Sequence, residues 1–331
     1  MADALIETAP GATRALVLDG ETILEAHIER EDAPLRPGHR SPARLTTILV
    51  KGLGQGSRGI ATLPCGTELL LSPLPDATEG ATIGIEITRA ALPEAARPRL
   101  PRARPLPAVP PVTPGASLAE RLRATGHRLQ TLIGPEDRLE AAGWSEIVEQ
   151  ARTGHIAFPG GLLTITPTPA MTTVDIDGDM PPEALAHAAL VPLAQAIRRL
   201  DLQGSTAIDF PSLQGAARKS LDQALASALK AHLPGAHEAT AINGFGLVQI
   251  IRPRTRPSLM EAVRTPGFDA LELLRRAARH GHGPATLHAP RAIIDWLQAR
   301  PALLESASRL RGGALTLHPD PRLATSAPHV S

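Results

Sequence analysis

The chain has 331 residues, with 34 Lys and Arg against 33 Asp and Glu, a formal net charge of +1. That length suits two or three small domains with real cores, while the near-neutral balance excludes a globally basic nucleic-acid binder and leaves any basic surface local. A single cysteine, Cys65, excludes an intrachain disulfide and a cysteine-based metal knuckle, and with no Tyr, 4 Phe and 2 Trp the core must be aliphatic.

Two alternating runs, Thr13 to Leu18 and Thr22 to Ile28, flank Asp19-Gly20 and predict a hairpin. From Leu35 to Leu92, short apolar runs (Leu45 to Val50, Glu68 to Leu71, Ala81 to Ile87) punctuated by Gly and Pro predict a small barrel. This stretch contains no aromatic residue on which a base could stack, but Lys51, Arg58 and Arg89 offer cations to a phosphate. Arg97 to Pro114 holds seven Pro and four Arg and no acid. It reads as an extended linker that cannot form a helix or central strand, spanning roughly 55 Å. Ser117 to Thr131 is expected to be helical, with Ser117 as N-cap and Glu120 completing a capping box. A second helix is expected over Pro135 to Thr153, and a hairpin over Ile156 to Ala170 turning at Pro159-Gly160-Gly161.

The stretch from Met171 to Phe210 organises the rest. Alternation of Thr173, Asp175 and Asp177 against Val174 and Ile176 puts both carboxylates on one strand face. A helix from about Glu183, either kinked at Pro192 or regular only after it, leads to a strand from Ala207 that ends at Asp209 and Phe210. Side by side, the two strands bring Asp175, Asp177 and Asp209 to one sheet edge. Three such carboxylates repel unless a hard cation sits among them, which points to a divalent-metal site, Mg²⁺ first and Mn²⁺ second. The competing reading of each Asp is a turn former or helix cap, although Ser212 is better placed than Asp209 to open the next helix. That helix covers Leu213 to Ala231, and strands His237 to Ile242 and Leu247 to Arg252 complete the sheet. Arg252 and Arg254, just past the last strand, suit phosphate geometry. Further on, helices are expected at Ala270 to Arg279 and Arg291 to Leu297, and a strand at Ala314 to Leu317. His280, His282 and His288 lack a cysteine or carboxylate at ligand spacing.

The order TTVDIDG, helix, AIDF, helix, INGFGLVQIIRPR resembles the nuclease subdomain of the ribonuclease E/G family, and Trp144 to Met171 resembles that family's lead-in. The likeness is strongest over Gly143 to Leu259. It implies an α+β multidomain chain: an N-terminal hairpin (1–33) packed on the nuclease part, an S1/OB-like barrel (34–92), a Pro/Arg-rich linker (93–116), a mixed α/β nuclease subdomain (117–260) and a small C-terminal α/β unit (261–331). The linker has no room for the family's 5′-monophosphate sensor, and no cysteine exists for its zinc link. Any homo-oligomer would therefore form through the C-terminal unit without zinc. Asp177 stands where the family usually has Asn, Ser212 where it has a second aspartate, and Gly244 where a basic residue is common. The implied activity is Mg²⁺-dependent hydrolysis of single-stranded RNA to 5′-phosphate ends, with catalytic Asp175 and Asp209 as metal ligands, Asp177 as third ligand or water-orienting group, and RNA held by Arg252, Arg254, Lys51 and Arg58. The rivals are a noncatalytic RNA-binding or ribosome-associated relative and a metal phosphodiesterase on small nucleotides. No charged leader with an apolar core opens the sequence and no run of about 18 apolar residues occurs in it, so a soluble, cytoplasmic protein with no membrane partner is expected.

Overall fold

The first strands form where alternation is cleanest, and the remaining elements follow the apolar pattern except where tertiary pairing recruits polar chain. The computed structural model describes residues 2–33, 35–52, 56–93, 98–134, 136–279, 281–324 and 327–331. In chain order the elements are β1 (Asp3–Ala9), β2 (Ala12–Asp19), β3 (Thr22–Arg30), β4 (Arg40–Val50), β5 (Arg58–Thr62), β6 (Glu68–Leu71), β7 (Thr82–Arg89), β8 (Arg102–Leu106), α1 (Leu118–Ala124) and β9 (Arg128–Thr131). They continue as α2 (Arg138–Ala141), α3 (Trp144–Thr153), β10 (His155–Phe158), β11 (Gly161–Pro167), β12 (Thr172–Gly178), α4 (Pro182–Arg199), β13 (Gly204–Asp209), α5 (Gly215–His232), β14 (Glu238–Ala239) and β15 (Leu247–Arg252). The last are α6 (Leu259–Ala262), α7 (Pro266–Arg279), β16 (Ala285–Ala289), α8 (Arg291–Gln298), α9 (Pro301–Arg311), β17 (Leu315–Pro319) and β18 (His329–Val330).

The chain divides into two compact units. One comprises Met1–Asp32, Gly126–Thr153 and Ala262–Ser331; the other comprises Ala33–Thr125 and Gly154–Glu261. The expected 117–260 segment is thus shared, its residues 126–153 belonging with the N-terminal strands.

In the first unit, β3-β2-β1-β9 form one sheet, with β1 antiparallel to β2 and parallel to β9. The hairpin turns at Gly20, at φ +59°. Ser117 caps α1 in the second unit with the expected capping box, but that helix stops at Ala124; residues 128–131, read as its continuation, are β9. Pairing of Arg128–Thr131 with β1 supplies backbone partners that a polar RLQT segment cannot announce by periodicity. The C-terminal core packs Leu273 and Leu274 of α7 against Leu287 of β16 and Ile293 and Leu297 of α8.

In the second unit, β4-β5-β6-β8-β7 close into a five-stranded barrel around Leu45, Leu69, Leu71, Ile85 and Ile87. Its strand β8 comes from the Pro/Arg-rich stretch, so that stretch does supply a strand within a barrel. The reason is local: Ala103 is buried between outward Arg102 and Arg104, and Arg104 and Arg40 both reach Glu86, at 3.0 and 2.8 Å. β8 pairs with β6 only at Arg102 and Ala103, so Pro105 lies beyond the positions where that ladder needs a donor.

The same unit holds a six-stranded sheet, β10-β11-β12-β13-β15-β14, with α4 against β10–β12 and α5 against α4. α4 runs unbroken through Pro192, because Leu185, Leu190, Leu193 and Ile197 are all buried. At about 1.5–3 kcal/mol per buried aliphatic side chain, that face outweighs the roughly 3 kcal/mol that an interior proline costs. Among the described residues, no helix is long and apolar enough to cross a membrane.

Candidate functional site

Strand alternation sorts the sheet into two chemistries. Val174, Ile176, Ile208, Val248 and Ile250 are buried, whereas Asp175, Asp177 and Asp209 are exposed on the opposite face. β12 and β13 are parallel, and their register sets Asp175 beside Asp209. Adjacent strands lie about 4.8 Å apart, so the two side chains rise as neighbours. The row continues across the sheet as Thr164, Asp175, Asp209 and Leu247.

Asp177 is placed differently. β13 ends at Asp209, opposite Asp175, so Asp177 overhangs it and has a strand neighbour, Leu162, on β11 alone. Its carboxyl instead acts on that of Asp175, two residues away on the same strand face. Although Asp175 as a residue is exposed, its carboxyl is held above the ordinary carboxylate range. Desolvation is the largest cause, then the neighbouring Asp177 and the charge of Asp209, against a 3.0 Å hydrogen bond from the Ile176 amide to Oδ1.

Among the described residues, no three His, Cys, Asp or Glu are gathered closely enough to hold a metal ion, while the charges of Asp177 and Asp209 both act on Asp175. An Asp175–Asp209 pair still fits the donor set of Mg²⁺, which is commonly held by one or two carboxylates with waters and substrate phosphate. With the folded pKa above the unfolded one, the native state binds more protons in the interval between them, so Asp175 contributes a loss of stability as pH rises through that interval. Asp175→Asn is therefore expected to be at least as stable as wild type at neutral pH and to lose its advantage in acid, as read by thermal melting across pH.

The turn entering β15 frames the other side of the row. Asn243 Oδ1 accepts from the amides of Phe245 (2.9 Å) and Leu247 (3.1 Å), and Ser212 Oγ donates to the Phe245 carbonyl at 3.1 Å. Ser212 thus braces this turn; α5 is preceded by Gln214, whose side chain makes no cap bond. Gly246 has φ +90°, and a Cβ there would lie 2.2 Å from the Phe210 carbonyl oxygen. Gly246→Ala is expected to cost about 1–3 kcal/mol from backbone strain, measured by denaturant unfolding, and to cut any activity of the acidic pair. Phe245, which this turn presents, was not singled out by periodicity; the legible signal is an aromatic bracketed by glycines after Asn.

Arg252 and the acids lie at opposite ends of the β13–β15 ladder. β15 runs antiparallel to β13, so Arg252 faces Gly204, five residues and about 16 Å from Asp209. Arg252 Nη1 donates to the Leu202 carbonyl at 2.7 Å and lies 3.8 Å from Asp201, and Arg254 pairs with Glu261. Both expected RNA contacts therefore hold the sheet's far end together. Arg58 is exposed opposite Val50 at the β4–β5 connection, with exposed Lys51 next to Val50. Arg89 donates to the Leu100 carbonyl at 2.8 Å.

In the first unit, His288 stacks on His329 at 4.7 Å and lies 4.9 Å from His318. His280 is outside the described residues. Fold and site together define a mixed α/β chain with a closed five-stranded barrel and an open sheet face bearing a cross-strand acidic pair. No protein-family model and no curated protein matches the chain.

Proposed function

We propose that the chain is a Mg²⁺-dependent endoribonuclease of the ribonuclease E/G type, cleaving single-stranded RNA in the cytoplasm to leave 5′-phosphate ends, with the barrel in the S1/OB role. The observation that carries this reading is the register of β12 with β13, which sets Asp175 abreast of Asp209 on an exposed face. Two side-chain carboxylates so close, one already pushed toward its neutral form, make a site whose electrostatics favour a cation. When bound, a divalent ion supplies a water of lowered pKa and offsets charge on the phosphoryl group. Asp175 and Asp209 would hold it, Asp177 raises the pKa of Asp175, and the α4-facing apolar layer fixes the strand register. Mn²⁺ is expected to substitute.

A second reading, a noncatalytic RNA-binding relative, is favoured by the barrel segment's lack of any aromatic side chain. One assay separates them: a labelled A/U-rich single strand incubated with and without Mg²⁺, beside Asp209→Asn. Mg²⁺-dependent cleavage by wild type alone supports the nuclease. Binding without cleavage under Mg²⁺ and Mn²⁺ supports the relative.

A further inference from the structure

The turn from Asn243 to Gly246 carries chemistry that the acidic pair does not use. The chain has 4 Phe and 2 Trp. Phe158, Phe210, Phe268 and Trp144 are buried, and Trp296 lies under the guanidinium of Arg300, 3.9 Å from the ring centroid. Phe245 is 80% exposed, the one such ring on the described surface. An exposed ring gains nothing from a core, yet its backbone is fixed from three directions. Asn243 holds its amide, Ser212 holds its carbonyl, and the Phe210 amide donates to the Gly246 carbonyl at 3.1 Å.

Position gives the ring a use. Leu247, 43% exposed, pairs with Asp209 and so rises on the carboxylate face. Phe245 is two residues away, at most about 7 Å of chain. Arg218 on α5 lies against the same turn: its Nη1 is 3.4 Å from where a Cβ on Gly244 would stand. Arg218 forms no ion pair among the described residues. A rigidly presented ring two residues from the rung beside Asp209, with a guanidinium free of carboxylates against the same turn, matches the two halves of a nucleotide. Base–aromatic stacking tolerates any base, and guanidinium geometry suits phosphate.

We infer that Phe245 and Arg218 form a nucleotide subsite flanking the Asp175–Asp209 pair, the ring stacking on a base of single-stranded RNA and the guanidinium taking the adjoining phosphate. This rests on the ribonuclease reading and supplies the stacking surface that the barrel lacks.

The test is fluorescence anisotropy with a short labelled A/U-rich RNA in EDTA, where no cleavage occurs. Phe245→Ala is expected to weaken binding about 5- to 150-fold, and Phe245→Trp to restore it. Arg218→Ala is expected to reduce the slope of log K against log salt by about 0.7, the loss of one single-strand phosphate contact. An RNA of equal length carrying abasic residues opposite the ring is expected to bind wild type and Phe245→Ala alike, which a merely structural role for Phe245 would not produce. If Phe245→Ala holds base-bearing RNA as tightly as wild type, the subsite is wrong while the nuclease reading stands. If wild type neither binds nor cleaves any single strand, both fail.

Discussion

Replacing Asp209 with Asn is expected to lower Mg²⁺-dependent cleavage of single-stranded RNA by at least about 10³-fold with RNA affinity largely kept. The magnitude follows from the several kcal/mol that metal charge stabilisation contributes to phosphoryl chemistry, at tenfold per 1.36 kcal/mol. Asparagine preserves size and a hydrogen-bonding oxygen but removes the charge that holds the cation. Because Asp209 is exposed at a strand end, no core contact is lost with it. Asp175→Asn is expected to match it, since the two residues are register partners. Asp177→Asn is expected to lose far less, because Asp177 overhangs β13 and acts only through its charge on Asp175. The measurement is single-turnover cleavage of a labelled strand for all three variants. Equal cleavage by Asp209→Asn and wild type would remove the basis of the nuclease proposal, and an equal loss in all three would replace the pair with a triad.

That ranking of the aspartates was only half legible in the sequence. Period-two alternation at Val174, Asp175, Ile176 and Asp177 tells which face each residue takes, because burying Val and Ile decides it. The stagger of β12 against β13 is a tertiary fact, and it alone separates Asp177 from the other two. The same gap explains the arginines. IIRPR reads as the end of a strand, but whether that end lies near Asp209 depends on strand direction, and antiparallel pairing puts Arg252 at the opposite end. Strand β8 was hidden by the prolines around it, since composition weighs against a strand, whereas five paired positions on β7 and two on β6 recruit it. The hairpin at Asp19-Gly20, the capping box of Ser117 and Glu120, and the turn at Gly160 were legible because each is a local backbone requirement met by a particular side chain or by its absence.

Least legible of all were buried charges, and these carry the largest expected effect on stability. Glu7 on β1 stands directly opposite Arg14 on β2, which alternation alone would read as a surface ion pair. Instead the pair is closed off: Glu7 is 3% exposed and Arg14 1%. Glu7 bonds both Arg14 and Arg279, Arg14 also reaches Glu272 at 3.2 Å, and Arg275 joins Glu272 to Asp137. Trp144 covers Arg14, with the guanidinium carbon 4.8 Å from the ring centroid. Removing one member of a buried ionic set leaves an uncompensated charge, which costs about 3–5 kcal/mol, whereas exposed pairs contribute about 0–1 kcal/mol. Glu7→Ala is therefore expected to lose about 3–5 kcal/mol in denaturant unfolding, from two guanidinium groups left with one carboxylate fewer. Adding Arg14→Met is expected to recover part of that loss, because the second substitution removes the charge the first one stranded. A non-additive cycle of this sign identifies the pair as mutually dependent. A loss below about 1 kcal/mol for Glu7→Ala would mean that water reaches Arg14 and that helix α7 is held to the strands by its apolar contacts alone.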